Sequence, residues 1–202
     1  MHETPDRAAR SHLHHAIDSA YPYDMERKTF AQMTCPIARS LERVGEWWSI
    51  LILRDAFAGL TRFDEFQNSL GIAPNMLTRR LKALTEAGLL ERRRYSERPP
   101  RYEYLLTERG RDFRTVLIAF LAYGNRHFAP EGESITIVDA VTGECAEPIL
   151  ADRRSGRPLL SADFKLAAGP AATEGTRRRL RRNGSLSPHS VEPRSSMQDD
   201  QP

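Results

Sequence analysis

Four side chains in one short stretch carry the donors that base edges and phosphates accept: Asn75, Thr78, Arg79 and Lys82. At 3.6 residues per turn they fall on one side of a helix. Arginine can reach guanine with two parallel hydrogen bonds, and asparagine can do the same with adenine. A second cationic group follows: Arg92, Arg93, Arg94, Arg98 and Arg101. This is the chemistry of gripping a polyanion rather than of making bonds. No Ser-His-Asp or Cys-His-Asn arrangement has supporting context, so an enzyme is not the expectation. His12, His14 and His15 could share a helix face, but no acidic or thiol ligand lies close in sequence. They read as surface histidines in a tail, and no metal or other cofactor is expected.

The elements around these residues must hold them out. Leu77, Leu81 and Leu84 recur at i, i+4 and i+7 and give the helix an inner face. Gly71 can end a preceding helix in a left-handed turn, and Pro74 suits a first helical position. Upstream, Thr61 is a plausible N-cap for a helix that turns Phe63, Phe66 and Leu70 inward. Together these make a helix-turn-helix. Trp48 to Phe57 reads as a helix buried nearly all round. Of the pair Trp47-Trp48, one ring belongs to the core and the other to a helix or subunit contact. Pro36 opens a helix whose stripe is Ile37, Leu41 and Val44.

After Gly88 the pattern turns extended. Glu91 to Tyr95 and Tyr102 to Leu106 read as two strands around Ser96 to Arg101, with Pro99 and Pro100 holding the loop off any ladder. A basic hairpin directly after a helix-turn-helix reads as a wing, with Arg93, Arg94, Arg98 and Arg101 as its DNA-binding candidates. Thr107 can cap a further helix carrying Phe113, Val116, Leu117, Phe120 and Leu121 and ending near Phe128. Its apolar excess suggests a dimer seam shared with the Ile37 to Val44 helix.

The chain has 202 residues, 40% hydrophobic and 28% charged, enough for one cored domain with appendages. The net charge of +3 is compatible with nucleic acid without requiring it. Two cysteines imply no disulfide framework. The apolar run Ile50 to Leu53 is too short for a membrane span, and the first residues lack an apolar signal core, so a soluble cytoplasmic protein is expected. Four segments follow. Residues 1–28 form a mobile arm with a short helix around Leu13 to Ala20. Residues 29–130 form the DNA-binding and dimerisation domain, and 131–170 a small β appendage. Residues 171–202 form a disordered tail with the basic run Arg177 to Arg182. In the appendage, Asp139 to Gly143 and Asp152 to Gly156 form a weak repeat ending in Thr142-Gly143 and Ser155-Gly156 turns. Ile149, Leu150, Leu159 and Leu160 are its apolar residues. An element this small must lean on the rest of the molecule. Cys145 alone cannot build a four-ligand zinc site.

The ordered motifs between residues 30 and 130 resemble the HxlR family of bacterial transcriptional regulators. They are Cys35-Pro36-Ile37-Ala38, Gly45-Glu46-Trp47-Trp48, Ile52-Leu53-Arg54-Asp55, Arg62 to Phe66, Gly71-Ile72-Ala73, Leu77 to Leu81, Pro99 to Tyr104 and Leu106 to Gly110. The resemblance implies a mainly α, MarR-like winged helix-turn-helix fold with a small β wing. It implies a homodimer built from the first and last helices, on a palindromic operator in double-stranded DNA. Trp47 departs from the family, which more often has Lys or Arg there. Some members sense oxidants or electrophiles at the position of Cys35, which makes Cys35 a candidate thiol sensor, since a thiol near a helix N-terminus has a lowered pKa and reacts faster; structural burial of Cys35 is the preferred alternative. A small-molecule effector is compatible with this reading, and no membrane is. The competing reading is a winged-helix module whose basic face meets an acidic protein; salt slope and sequence selectivity on DNA separate the two.

Overall fold

The computed structural model describes residues 29–30 and 32–182. The expected arm, its helix and its histidines lie outside them, as do residues 183–202. The described chain runs α1 (Pro36–Val44), α2 (Trp47–Phe57), α3 (Phe63–Leu70), α4 (Pro74–Glu86), β1 (Leu90–Glu97), β2 (Pro100–Leu106), α5 (Glu108–Asp112), α6 (Arg114–Phe128) and α7 (Glu174–Arg182). It is a helical array with one two-stranded antiparallel wing.

The core is built where the helical stripes converge. Ile52, Leu53, Phe66, Leu77, Leu81 and Leu84 are fully shielded from solvent, joined by Val44, Ile72, Leu89 and Leu90. Each such side chain contributes roughly 1.5–3 kcal/mol of burial. The α3–α4 turn is made by Gly71, whose φ of 60° is left-handed, a conformation glycine adopts without strain. Pro74 stands in the first turn of α4 as its ring geometry favours.

Several boundaries differ from the sequence reading. The N-cap of α3 is Arg62, one residue after Thr61. The reason is Glu65, whose Oε2 accepts the backbone N–H of both Thr61 and Arg62 at 2.8 Å. A carboxylate at the third helical position thus satisfies two donors that a threonine hydroxyl would have left. These acceptor bonds hold the Glu65 carboxyl below its usual range. The wing is longer than expected: Pro100 pairs with Glu97 inside the ladder, which leaves Arg98 and Pro99 at the tip. A terminal ladder position tolerates proline because its missing N–H can face solvent. The register slips between Arg94 and Ser96. The helix after the wing is two helices joined at Phe113. Thr107 does cap the first, its hydroxyl accepting the N–H of Gly110 at 3.0 Å.

The appendage is held by turns rather than strands. Only single bridges form, Val138 with Cys145 and Ala151 with Pro158. The repeat is nevertheless structural. Asp139 N–H bonds to Glu144 O at 2.9 Å, and Asp152 N–H to Arg157 O at 2.8 Å. Gly143 and Gly156 take φ of 75° and 69° at matching turns. The appendage leans on α6 through Asn125 Nδ2 donating to Ile135 O and through an Arg126–Glu147 ion pair. Ile149 and Leu160 are exposed rather than packed. Within the segment read as a tail, the run at Glu174–Arg182 is helical. Thr173 starts it by accepting the Thr176 N–H, Arg181 pairs with Glu174, and arginine is itself a good helix former.

Candidate nucleic-acid interface

Helix α4 sorts its residues by side. Leu77, Leu81 and Leu84 are 0% exposed, whereas Asn75, Thr78, Arg79 and Lys82 are all solvent-exposed. The outer four make local contacts only. Asn75 Oδ1 accepts the N–H of Met76, and the Thr78 hydroxyl donates to Pro74 O at 2.8 Å. Arg79 Nη2 lies 3.1 Å from the Met76 sulfur. Lys82 stands 3.8 Å from Glu86 in an exposed i,i+4 pair, a contact too solvated to hold a side chain firmly. All four can exchange these contacts for a ligand's acceptors.

The wing begins shortly after α4 ends, and it divides its arginines into two sets. Arg93 Nε donates to Glu103 Oε1 at 2.8 Å, so its charge is largely answered inside the hairpin. Arg94 folds back to Ser96 O and Glu97 O at 3.2 and 3.0 Å. Arg98 and Arg101 are exposed and make no side-chain bond among the described residues. Arg92 lies over the Tyr102 ring, 3.5 Å from its centroid, and Arg62 over Tyr95 at 4.9 Å. These cation–π contacts stiffen the wing around its bulge. They were not anticipated from sequence, although cross-strand register would have placed Arg92 beside an aromatic. Tyr104 N–H bonds to Thr61 O at 2.7 Å, so the wing is also tied to the start of α3.

A further pair escaped the sequence reading. Arg80, on α4 itself, is 8% exposed and donates from Nη2 to Glu46 Oε2 at 2.9 Å. The signal was present: Arg80 lies three residues after Leu77 and four before Leu84, at the edge of the inner stripe.

Cys35 is half-buried at the N-cap of α1. The Ala38 backbone N–H holds its thiol below the usual value; partial burial opposes this, and the Ile37 N–H and the Arg179 charge assist. No group of three or more His, Cys, Asp or Glu able to hold a metal occurs among the described residues. No described helix is long and apolar enough to cross a membrane.

Two helices leave apolar faces open. Ile37 and Leu41 of α1 are 72% and 50% exposed, and Phe120 of α6 is 54% exposed. With Val44, Ile50 and Phe113 they line a groove of about 1030 Å³. A second cleft, about 360 Å³, lies between α6 and the appendage.

The sequence model of the HxlR-like helix-turn-helix family matches residues 43–132. Mb3122 of Mycobacterium bovis, an HTH-type transcriptional regulator, is 38% identical over 135 residues, which span 66% of this chain and 85% of that protein. A Synechocystis HTH-type regulator, sll1512, is 41% identical over 92 residues, 45% of this chain and 68% of its own. Among solved structures, a transcription factor of Pseudomonas aeruginosa, PA1374, is 60% identical with a TM-score of 0.53, over 72% of this chain and all of that one. The transcription factor PA1607 is 36% identical with a TM-score of 0.62, over 70% of this chain and all of that one.

Proposed function

The chain belongs to the HxlR-like helix-turn-helix family of transcriptional regulators, and from that premise we propose that it acts as a homodimer reading a palindromic operator. The observation that carries the reading is the division of α4: three leucines fully buried behind four exposed hydrogen-bonding residues. In this reading α4 lies in the major groove. Arg79, Asn75 and Thr78 read base edges, and Lys82 grips the backbone. Arg98 and Arg101 reach phosphate or the minor groove from the wing tip, with Arg93 and Arg94 contributing less because they are already bonded within the hairpin. Two subunits set their α4 helices about 34 Å apart, one turn of duplex.

The dimer seam is assigned to α1 and α6, whose exposed apolar residues line one groove. Faces of that size and character are covered in stable assemblies. A small-molecule effector, where one acts, is assigned to the cleft between α6 and the appendage, whose volume of about 360 Å³ suits a small ligand. The position of Cys35 supports a second role as a thiol switch. Its thiolate is favoured by a helix N-terminus and a nearby arginine.

Binding to the DNA upstream of the protein's own gene tests the main reading. Arg79→Ala is expected to cost roughly 1–3 kcal/mol at the cognate site and to blur discrimination. Arg98→Ala weakens binding evenly across sequences. Full affinity and unchanged preference in Arg79→Ala would refute the assignment of α4. Absence of selectivity at every salt concentration would favour an acidic protein partner instead.

A further inference from the structure

The inner side of α4 carries a charge that cannot touch DNA. Arg80 is 8% exposed and sits beside Leu77, Leu81 and Leu84 on the core side of the helix. Its partner comes from far away in sequence: Glu46, 34 positions upstream, with Nη2 and Oε2 2.9 Å apart. The side chains are 10% and 32% exposed, so the pair is mostly withdrawn from water on the arginine side. An ion pair in such a place adds little net stability over an apolar contact, because desolvation offsets the attraction. What it does supply is direction. A guanidinium is a planar fork, and burial fixes both the distance and the angle at which it meets a carboxylate.

Glu46 is itself held. It is the N-cap of α2, its carbonyl accepting the Ser49 N–H at 2.8 Å. Gly45 precedes it, and a Cβ built there would lie 2.4 Å from Leu41 O. The α1–α2 corner is therefore tight, with Gly45 N–H donating to that same carbonyl at 2.7 Å. The outer side of this corner is apolar and open: Trp47 is 72% exposed, and α1 presents Ile37 and Leu41. One residue thus joins two surfaces. Glu46 has the exposed face of the α1–α2 corner on one side and the DNA-facing helix on the other.

We propose that the Glu46–Arg80 pair is the joint that fixes the tilt of α4 against the α1–α2 corner, making both residues determinants of sequence selectivity without contact to DNA. The inference rests on α4 being the base-reading helix. Core leucines allow a helix to roll or slide by fractions of an ångström, since apolar contacts have no direction. The joint removes that freedom. Base readout needs donor positions set closely, whereas phosphate contacts tolerate more slack. Loosening the joint consequently lowers specific binding and spares non-specific binding.

The test measures affinity for the cognate operator and for a scrambled duplex, in the full chain. The variants are Glu46→Ala, Arg80→Met, and the exchanged pair Glu46→Arg with Arg80→Glu. The readout is the ratio of the two affinities. A loss of folded protein lowers both affinities by the same factor, so the ratio does not respond to mere destabilisation. The single variants are expected to lower the ratio by about 2- to 30-fold, with part of it restored in the exchanged pair. Should Arg80→Met fail to fold, Glu46→Ala decides alone, since the Glu46 side chain is 32% exposed and its bond to the Ser49 N–H is made by the backbone carbonyl. An unchanged ratio in Glu46→Ala and Arg80→Met overturns the joint while leaving the base-reading role of α4 intact. A wild-type chain with no operator preference overturns the premise instead.

Discussion

Helices α4 and α6 are of similar length and both carry apolar stripes, yet they use them in opposite ways. In α4 the stripe is consumed inside the subunit: Leu77, Leu81 and Leu84 have no exposed surface. In α6 no residue is buried, and Val116, Phe120, Tyr123 and Phe128 are 41%, 54%, 57% and 70% exposed. The polar face of α4 is what remains free to meet a partner, and that partner must be polar. The apolar face of α6 is what remains free on the other helix, and its partner must be apolar. On the proposed reading, the same amphipathic pattern serves DNA contact in one place and assembly in the other. Burial within the chain decides which.

The largest effect should come from attacking the consumed stripe. Leu81→Ala removes a fully buried side chain from the centre of the core. Cavity formation together with lost burial destabilises by about 2–5 kcal/mol. Chemical denaturation measures it directly. Phe120→Ala on α6 should leave monomer stability nearly unchanged, since its ring is more than half exposed. Equal losses at the two positions would erase the distinction between the helices.

A smaller effect is expected where the comparison concerns assembly. Phe120→Glu places a charge on the open stripe, beside the groove shared with Ile37 and Leu41. If α6 is an assembly surface, the dimer weakens by roughly 2 kcal/mol or more, the scale of an interface anchor. Sedimentation at graded concentrations should show monomer, and operator binding should lose its two-site cooperation. Retention of the dimer in Phe120→Glu would move the seam elsewhere.

Sequence pattern revealed α1 to α4, the span that divides into α5 and α6, the α3–α4 turn and the exposed face of α4, because periodicity and Gly71-Pro74 punctuation are local signals. It also revealed that α6 has apolar side chains to spare. What it could not reveal depends on register and distance. Pro99 and Pro100 suggested a wide loop, but pairing of Pro100 with Glu97 is settled by how far the ladder extends. Arg93 and Arg98 look alike in sequence and differ only because Glu103 stands opposite one of them. The Glu46–Arg80 bond spans 34 positions, and only packing brings them together. Helix α7 was hidden because it follows a stretch of alanine, glycine and proline and carries no apolar stripe; a cap at Thr173 and one ion pair tip the balance.

The smallest effect concerns how the two helices are anchored, and it is read with pH. Helix α3, which sets α4, begins on the carboxylate of Glu65; α6 begins at Phe113, with no side-chain cap. The N–H of Thr61, then that of Arg62, depress the Glu65 pKa in the folded chain, with partial burial opposing. A depressed carboxyl contributes stability that is present above its unfolded pKa and is lost as pH falls through the folded one. Glu65→Gln keeps the shape and an acceptor but cannot ionise. Wild type should therefore exceed Glu65→Gln in thermal stability at neutral pH, and the gap should close as pH falls through and below the usual carboxylate range. Dimerisation through α6 should not follow that gap, since the titrating group lies on the other helix pair. A gap independent of pH would mean that the charge of Glu65 adds nothing to the start of α3 beyond what a neutral acceptor supplies.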